Sequence, residues 1–315
     1  LETDWCCEMI IQWFPGHMVK ARRLISENLK LVDVVCEIID ARIPISSRNP
    51  DLDELVGQKP RLIVFNRVDQ ADPVMNKKWV AELRNTGAAV IETDCKSGSG
   101  VGQLQSAVRF LLSDKIAAYE AKGQTGRMLR LMIVGIPNVG KSSLINRAAK
   151  RKAAQTSDRP GVTRGKQWIN LGNGIELFDT PGVLWHKFED QIVAENLAFT
   201  GAIRDQIMDI ETLGARLMSR LAEYYPQRLA ERYRVDIASA VAVGANVADI
   251  AAVANSTDET DAAENNAAGF DLLTQAAMRR GFLLSGGEYD TERMAVILLD
   301  EFRGGKLGRI TLEWI

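Results

Sequence analysis

The stretch Gly135-Ile136-Pro137-Asn138-Val139-Gly140-Lys141-Ser142 decides the fold. It fits the pattern G-x-x-x-x-G-K-[ST] in full. It follows the apolar, strand-like run Leu129–Val134 and opens a helical pattern from Lys141 to Lys150. Its glycines let the loop wrap closely around a phosphate, so that backbone N–H groups from Asn138, Val139, Gly140 and onward to Ser143 point inward. The helix N-terminus adds favourable partial charge. Lys141 then neutralises β- and γ-phosphates, and the Ser142 hydroxyl offers magnesium an oxygen ligand.

Downstream, Asp179-Thr180-Pro181-Gly182 stands at the tip of the strand-like run Ile175–Phe178. Alone, D-x-x-G is an ordinary turn. After a phosphate loop, Asp179 is placed to hold magnesium through water, and the Gly182 N–H to sense a γ-phosphate. Between the two, Asp158–Thr163 reads as a loop offering Thr163 as a second magnesium ligand, with Thr156 in competition. Such loops order around a γ-phosphate and loosen after hydrolysis.

Upstream, Asn66-Arg67-Val68-Asp69 follows the apolar run Leu62–Phe65. The Asp69 carboxylate can accept from guanine N1–H and the 2-amino group, a pattern adenine lacks, so the wrong base leaves buried polar groups unpaired. This favours GTP and GDP as ligands and argues against an ATPase. Asn66 supports the base edge and ties the base loop to the phosphate loop. Arg67 replaces the lysine usual at its position, and its planar guanidinium can lie over the base. Cys95-Lys96-Ser97, after the run Ala88–Ile91, fits a loop whose backbone meets guanine O6. Base-reading motifs thus precede phosphate and magnesium motifs, the reverse of Ras-like chains. A permuted chain builds the same site when the old termini lie close together.

Strands alternate with helices up to about residue 185, Val32–Ile39 being the first strand and Val101–Ala121 one amphipathic helix. The turn Gly172-Asn173-Gly174 joins an antiparallel edge hairpin. The expected class is α/β: a circularly permuted Ras-like P-loop domain with a mainly parallel sheet and helices on both faces, then a smaller all-helical domain. The boundaries read as 1–9 extension, 10–185 nucleotide domain and 186–315 helical domain, with a polar insertion near 236–268. Within the last, Ala295–Asp300 reads equally as helix or strand.

The 315 residues suffice for two cores, and a net charge of -2 confines any nucleic-acid contact to local basic patches. Lys20, Arg22, Arg23, Arg147, Lys150, Arg151 and Lys152 are candidates. The four cysteines lack C-x-x-C spacing and read as reduced thiols. No apolar run is long enough to span a bilayer. The first eight residues are acidic, unlike a signal or transit peptide, and Met9 reads as the natural start. The expected location is the cytoplasm and the expected state a monomer.

Trp13-Phe14-Pro15-Gly16-His17-Met18, Asp40-Ala41-Arg42-Ile43-Pro44, Ser47-Arg48-Asn49-Pro50 and Thr200-Gly201-Ala202-Ile203, together with the motifs above, resemble the circularly permuted GTPases of ribosome biogenesis. The resemblance covers most of residues 10–235, weakens over 236–268 and resumes around Gly281–Gly287. It implies a GTPase acting in assembly of the large ribosomal subunit, bound to its precursor and carrying a helical RNA-binding domain. Where Ras-like enzymes place a water-orienting glutamine, this chain has Val183 and Leu184, which predicts slow intrinsic hydrolysis. His17 can orient water or move a proton near neutral pH, or is a structural turn histidine; His186 is a weaker candidate. Asn138 fits a potassium ion held against the phosphates, or stabilises its own loop. A nucleotide-gated RNA-binding switch with vestigial hydrolysis is the alternative reading.

Overall fold

The computed structural model describes residues 17–149, 168–185, 188, 190–243 and 259–315; for 17–18, 241–243 and 259–266 it describes the backbone alone. Of these, the residues up to 193 together with 311–315 form one compact unit, and those between 194 and 310 belong to another.

The first unit is built on six strands: β1 (Val34–Asp40), β2 (Arg61–Asn66), β3 (Ala89–Thr93), β4 (Leu129–Val134), β5 (Trp168–Gly172) and β6 (Ile175–Asp179). Their order is β3-β2-β1-β4-β6-β5. All neighbours are parallel except the β5–β6 hairpin at one edge. Central β1 is buried at every position, as a parallel strand covered on both faces must be. Its one charge in mid-strand, Glu37, is 2% exposed and lies 3.6 Å from Arg48 and 3.5 Å from Arg61. Burial pushes the Glu37 carboxyl upward against the pull of those arginines.

One sheet face carries α1 (His17–Leu29), α2 (Asp51–Val56) and α3 (Pro73–Asn85). Ile25, Leu52 and Val56 meet Val35, Met132 and Phe178, while Met75, Trp79 and Leu83 meet Ile39, Ile63 and Phe65. The alternate residues Cys36, Ile38, Leu62, Val64, Leu131 and Ile133 point the other way and are equally buried. Helices α4 (Gln103–Leu111), α5 (Ser113–Ala121) and α6 (Lys141–Ala148) complete the unit. The single helix expected over Val101–Ala121 is two, because buried Leu112 leaves helical geometry at φ −105° and ψ 14°. Helix α3 begins as its sequence dictates: Asp72 accepts from the Val74 and Met75 amides, and Pro73 needs no partner for its nitrogen.

Helix α7 (Gln191–Phe199) leads into the second unit. There α8 (Ile210–Tyr224) packs against α11 (Glu259–Arg280) and α12 (Thr291–Arg303), with α9 (Pro226–Tyr233) and α10 (Ile237–Val243) beside them. Leu213, Leu217, Leu221, Leu273, Met294, Leu298 and Phe302 are buried in it. Ala295–Asp300, ambiguous in sequence, is helical. Glu301 is its polar centre, accepting from Arg232 Nε at 3.0 Å, the Tyr233 hydroxyl at 2.8 Å and Arg280 at 3.2 Å.

Candidate nucleotide-binding site

The C-terminal ends of β1, β2, β4 and β6 deliver the polar residues of the site to one edge of the sheet, where open α/β sheets bind ligands. Between β4 and α6 the loop Gly135–Gly140 curls back tightly. Gly140 has φ 111°, and a Cβ there would stand 2.4 Å from Asn66 Nδ2. Only glycine permits that approach. Lys141 opens α6 and donates to the carbonyls of Gly135 at 3.0 Å and Ile136 at 2.6 Å. Burial pushes its ammonium down to about 8, against the pull of Asp179.

Asn66, 2% exposed at the end of β2, joins the two halves of the site. Its Nδ2 donates to Val139 O at 2.8 Å in the phosphate loop. Its Oδ1 accepts from the Cys95 amide at 3.0 Å and the Thr93 hydroxyl at 3.2 Å. The neighbouring Arg67 adopts φ 64° and donates to Asn138 O at 2.9 Å, while its Nε lies 3.4 Å from Asp40. Asp40 itself is buried and accepts from Arg42 through Nε at 3.0 Å and Nη2 at 2.7 Å. Burial alone would raise the Asp40 carboxyl; the Arg42 and Arg67 guanidinium groups outweigh it and hold the carboxyl below its ordinary range. Asp69 follows the opposite trend, raised by burial and by the nearby Asp94. In the next loop, Asp94 Oδ1 accepts from the Lys96 amide at 2.8 Å and the Ser97 amide at 3.2 Å, shaping Cys95–Ser97.

The Asp179–Gly182 turn lies over the phosphate loop. Thr180 donates to Ile133 O at 2.6 Å, and the Val183 amide to Gly135 O at 3.2 Å. A Cβ on Gly182 would meet Pro137 Cα and N at 2.8 Å and Lys141 Nζ at 3.0 Å. Burial raises the Asp179 carboxyl, and the charge on Lys141 opposes it. Val183 is 6% exposed, its side chain among Ile25, Val134 and Phe178. Its carbonyl accepts from Asn49 Nδ2 at 3.3 Å.

Of the residues singled out in the sequence, Asn66 and Asp179 end β2 and β6, Lys141–Ser143 open α6, and Arg67, Asp69, Cys95, Lys96, Ser97, Asn138–Gly140 and Gly182 stand on the loops that follow β2, β3, β4 and β6. Thr163, Thr156 and His186 lie outside the described residues, and of His17 only the backbone at the start of α1 is described. Among the candidate RNA contacts, Arg22 pairs with Asp51, Arg23 with Glu27, and Arg147 donates to Lys96 O; Lys150, Arg151 and Lys152 lie outside the described residues.

A family model described as 50S ribosome-binding GTPase matches residues 130–225. Ribosome biogenesis GTPase A of Bacillus cereus is 43% identical over 305 residues, covering 97% of this chain and 94% of its own length. The chain belongs to the ribosome biogenesis GTPase A family. A more distant relative in that family, from Thermotoga maritima, is 29% identical over 303 residues, or 96% of this chain and 94% of its own. The crystal structure of GNP-bound YlqF from T. maritima superposes with a TM-score of 0.59 at 26% identity, covering 94% of this chain and 98% of that one. The permuted order of motifs and the parallel sheet with its antiparallel edge are thus those of a GTPase of this family.

Three residues that the structure brings to these loops carried no role in the sequence reading: Asp40, Arg42 and Asn49. Asp40 had a signal, since it is a charged residue closing an apolar strand, level with Asn66 in the sheet register. Asn49 was marked only by its place in the Ser47–Pro50 segment, which does not reveal its contact, because its partner Val183 is 134 residues away.

Proposed function

We propose that this GTPase binds the precursor of the large ribosomal subunit, promotes a late step of its assembly, and hydrolyses GTP slowly alone and faster on the subunit. The observation that carries the nucleotide half is the three-way bridge of Asn66, which fixes the guanine-reading and phosphate-holding loops to each other. The names of the relatives support the ribosomal half.

In this reading Asp69 accepts from guanine, the backbone of Cys95, Lys96 and Ser97 meets its O6, and Arg67 braces the phosphate loop from the base side. The N–H groups of Asn138–Ser143 take the phosphates and Lys141 turns its ammonium onto the β- and γ-oxygens. The oxygen donors Ser142 and Asp179 suit magnesium, with Thr163 as the further ligand. Bound there, that ion would supply positive charge where the leaving oxygens become more negative. The Gly182 N–H, held over Pro137 and Lys141, reads the γ-phosphate. Water attacks phosphorus, the bond to the β–γ bridging oxygen breaks, and GDP and phosphate leave. With Val183 buried among Ile25, Val134 and Phe178, the role of orienting that water is assigned to His17. Asn138 is assigned to a potassium ion, which would add charge where an arginine finger otherwise acts. The strand that ends in Asp179 leads through α7 into the helical residues, which contact RNA. We further propose a monomer, working in the cytoplasm.

The test is GTP turnover with and without purified large subunits, in potassium and in sodium. Stimulation lost in sodium is the expected result. Equal stimulation in both salts removes potassium and keeps the ribosome; no stimulation with tight GTP binding favours a second reading. That reading, a nucleotide-gated RNA-binding switch with little hydrolysis, draws on the burial of Val183 where a glutamine would orient water.

A further inference from the structure

Residues Thr311–Ile315 lie in the same compact unit as the nucleotide motifs, although the chain reaches them from the helical residues 194–310. Their contacts are specific. The Asp72 amide donates to Thr311 Oγ1 at 3.0 Å, where the Asp69 loop turns into α3. The Leu312 amide donates to Arg42 O at 2.8 Å, and Trp79 Nε1 to Glu313 O at 3.0 Å. Thr311 and Leu312 are buried. The Glu313 carboxylate takes the consecutive amides of Ile45 and Ser46, the latter at 2.9 Å, together with the Ser46 hydroxyl. Successive N–H groups converging on one carboxylate make a charge-assisted anion seat, stronger than neutral turn hydrogen bonds.

The loop gripped this way is the one that reaches the site. Ser47 Oγ accepts from the Asp40 amide at 2.9 Å, and Asn49 Nδ2 donates to Val183 O. Val183 follows Gly182, whose backbone lies on Pro137 and Lys141. Glu313 therefore holds the loop whose Asn49 reaches the residue after Gly182.

We propose that Glu313 is a positioning residue for γ-phosphate sensing: it holds the Ile45–Asn49 loop so that Asn49 holds Val183, and with it Gly182, over the phosphate loop. This rests on the reading of Gly182 as the γ-phosphate sensor. Because GDP makes no demand on Gly182, the effect falls on the triphosphate state.

The experiment compares binding of GDP and of a non-hydrolysable GTP analogue to the full chain and to Glu313→Ala, Glu313→Gln, Asn49→Ala and the Glu313→Ala/Asn49→Ala double variant. Thermal midpoints are measured alongside. Glu313→Ala is expected to weaken the analogue about fivefold and GDP less than about twofold. Glu313→Gln, which keeps one acceptor oxygen, recovers part of that loss. The double variant is no weaker than Asn49→Ala alone, since both act through one contact. Equal weakening of GDP and analogue, or additive losses in the double variant, overturns the proposal as mere structural loosening. Unchanged analogue affinity in Glu313→Ala overturns it outright. A wild-type protein that binds analogue and GDP alike with Gly182→Ala without effect defeats the sensor reading itself, and the proposal with it.

Discussion

Asp40 in the sheet unit and Glu301 in the helical unit are both buried carboxylates held by arginines. Asp40 is 2% exposed and meets Arg42 and Arg67; Glu301 is 6% exposed and meets Arg232, Arg280 and the Tyr233 hydroxyl. Burial pushes both carboxyls up and the guanidinium groups overcome it, bringing Glu301 down to about 2. Their surroundings differ. Arg67, shared with Asp40, also donates to Asn138 O, so the Asp40 cluster forms part of the wall behind the phosphate loop. The partners of Glu301 all lie on α9 and α11 and tie those helices to α12. The same electrostatic device thus tunes a site in one unit and assembles helices in the other. Breaking a buried pair leaves an uncompensated charge in either case.

The largest effect expected is in the sheet unit. Lys141→Ala should weaken GTP binding about a thousandfold by removing the phosphate's buried cation, with the thermal midpoint little changed; titration with labelled GTP checks both halves. Glu301→Ala should do the reverse. It leaves Arg232 and Arg280 without their shared anion and costs about 3 kcal/mol of stability in denaturant unfolding, while GTP affinity stays within a factor of two or so. A loss of nucleotide affinity in that variant would erase the contrast between the two clusters.

Acid sharpens it further. Because the folded Glu301 carboxyl sits below its ordinary value of 4.5, its contribution is complete above that pH and is lost as pH falls toward about 2. Glu301→Gln should flatten that part of the stability–pH curve. Asn66→Ala comes next, at about 2 kcal/mol, since it leaves the buried Cys95 amide and Val139 carbonyl without partners. It should lower stability and guanine affinity together. The smallest effect is that of Arg67→Lys, which restores the residue usual at this position. It gives up the planar fork between Asp40 and Asn138 O and should weaken GTP by about twofold to fivefold. A gain instead would show that the arginine is tuned for release rather than for grip.

Much of this molecule was legible in the chain alone. The loop Gly135–Ser142, the turn Asp179–Gly182 and the run Asn66–Asp69 each announce themselves by neighbours within a few residues, because phosphate and base contacts demand particular backbone geometry locally. The alternation of apolar runs with helical patterns gave the sheet, and Gly172–Gly174 its antiparallel edge. The break at Leu112 was not legible, since a helical stripe looks the same whether or not burial of one leucine interrupts it.

What the sequence determined, then, was which chemical groups exist and in what order: the Asn66–Asp69 run, the Gly135–Ser142 loop and the Asp179–Gly182 turn on an α/β sheet, followed by helices. Only the tertiary structure decided which of them answer to one another. Asn49 meets Val183 across 134 residues, and the Glu313 carboxylate meets the Ile45 amide across 268. Local motifs are fixed by steric demands that act between adjacent residues. A hydrogen bond between distant segments depends on how the whole sheet and its helices bury their apolar faces, and no short stretch of chain carries that information.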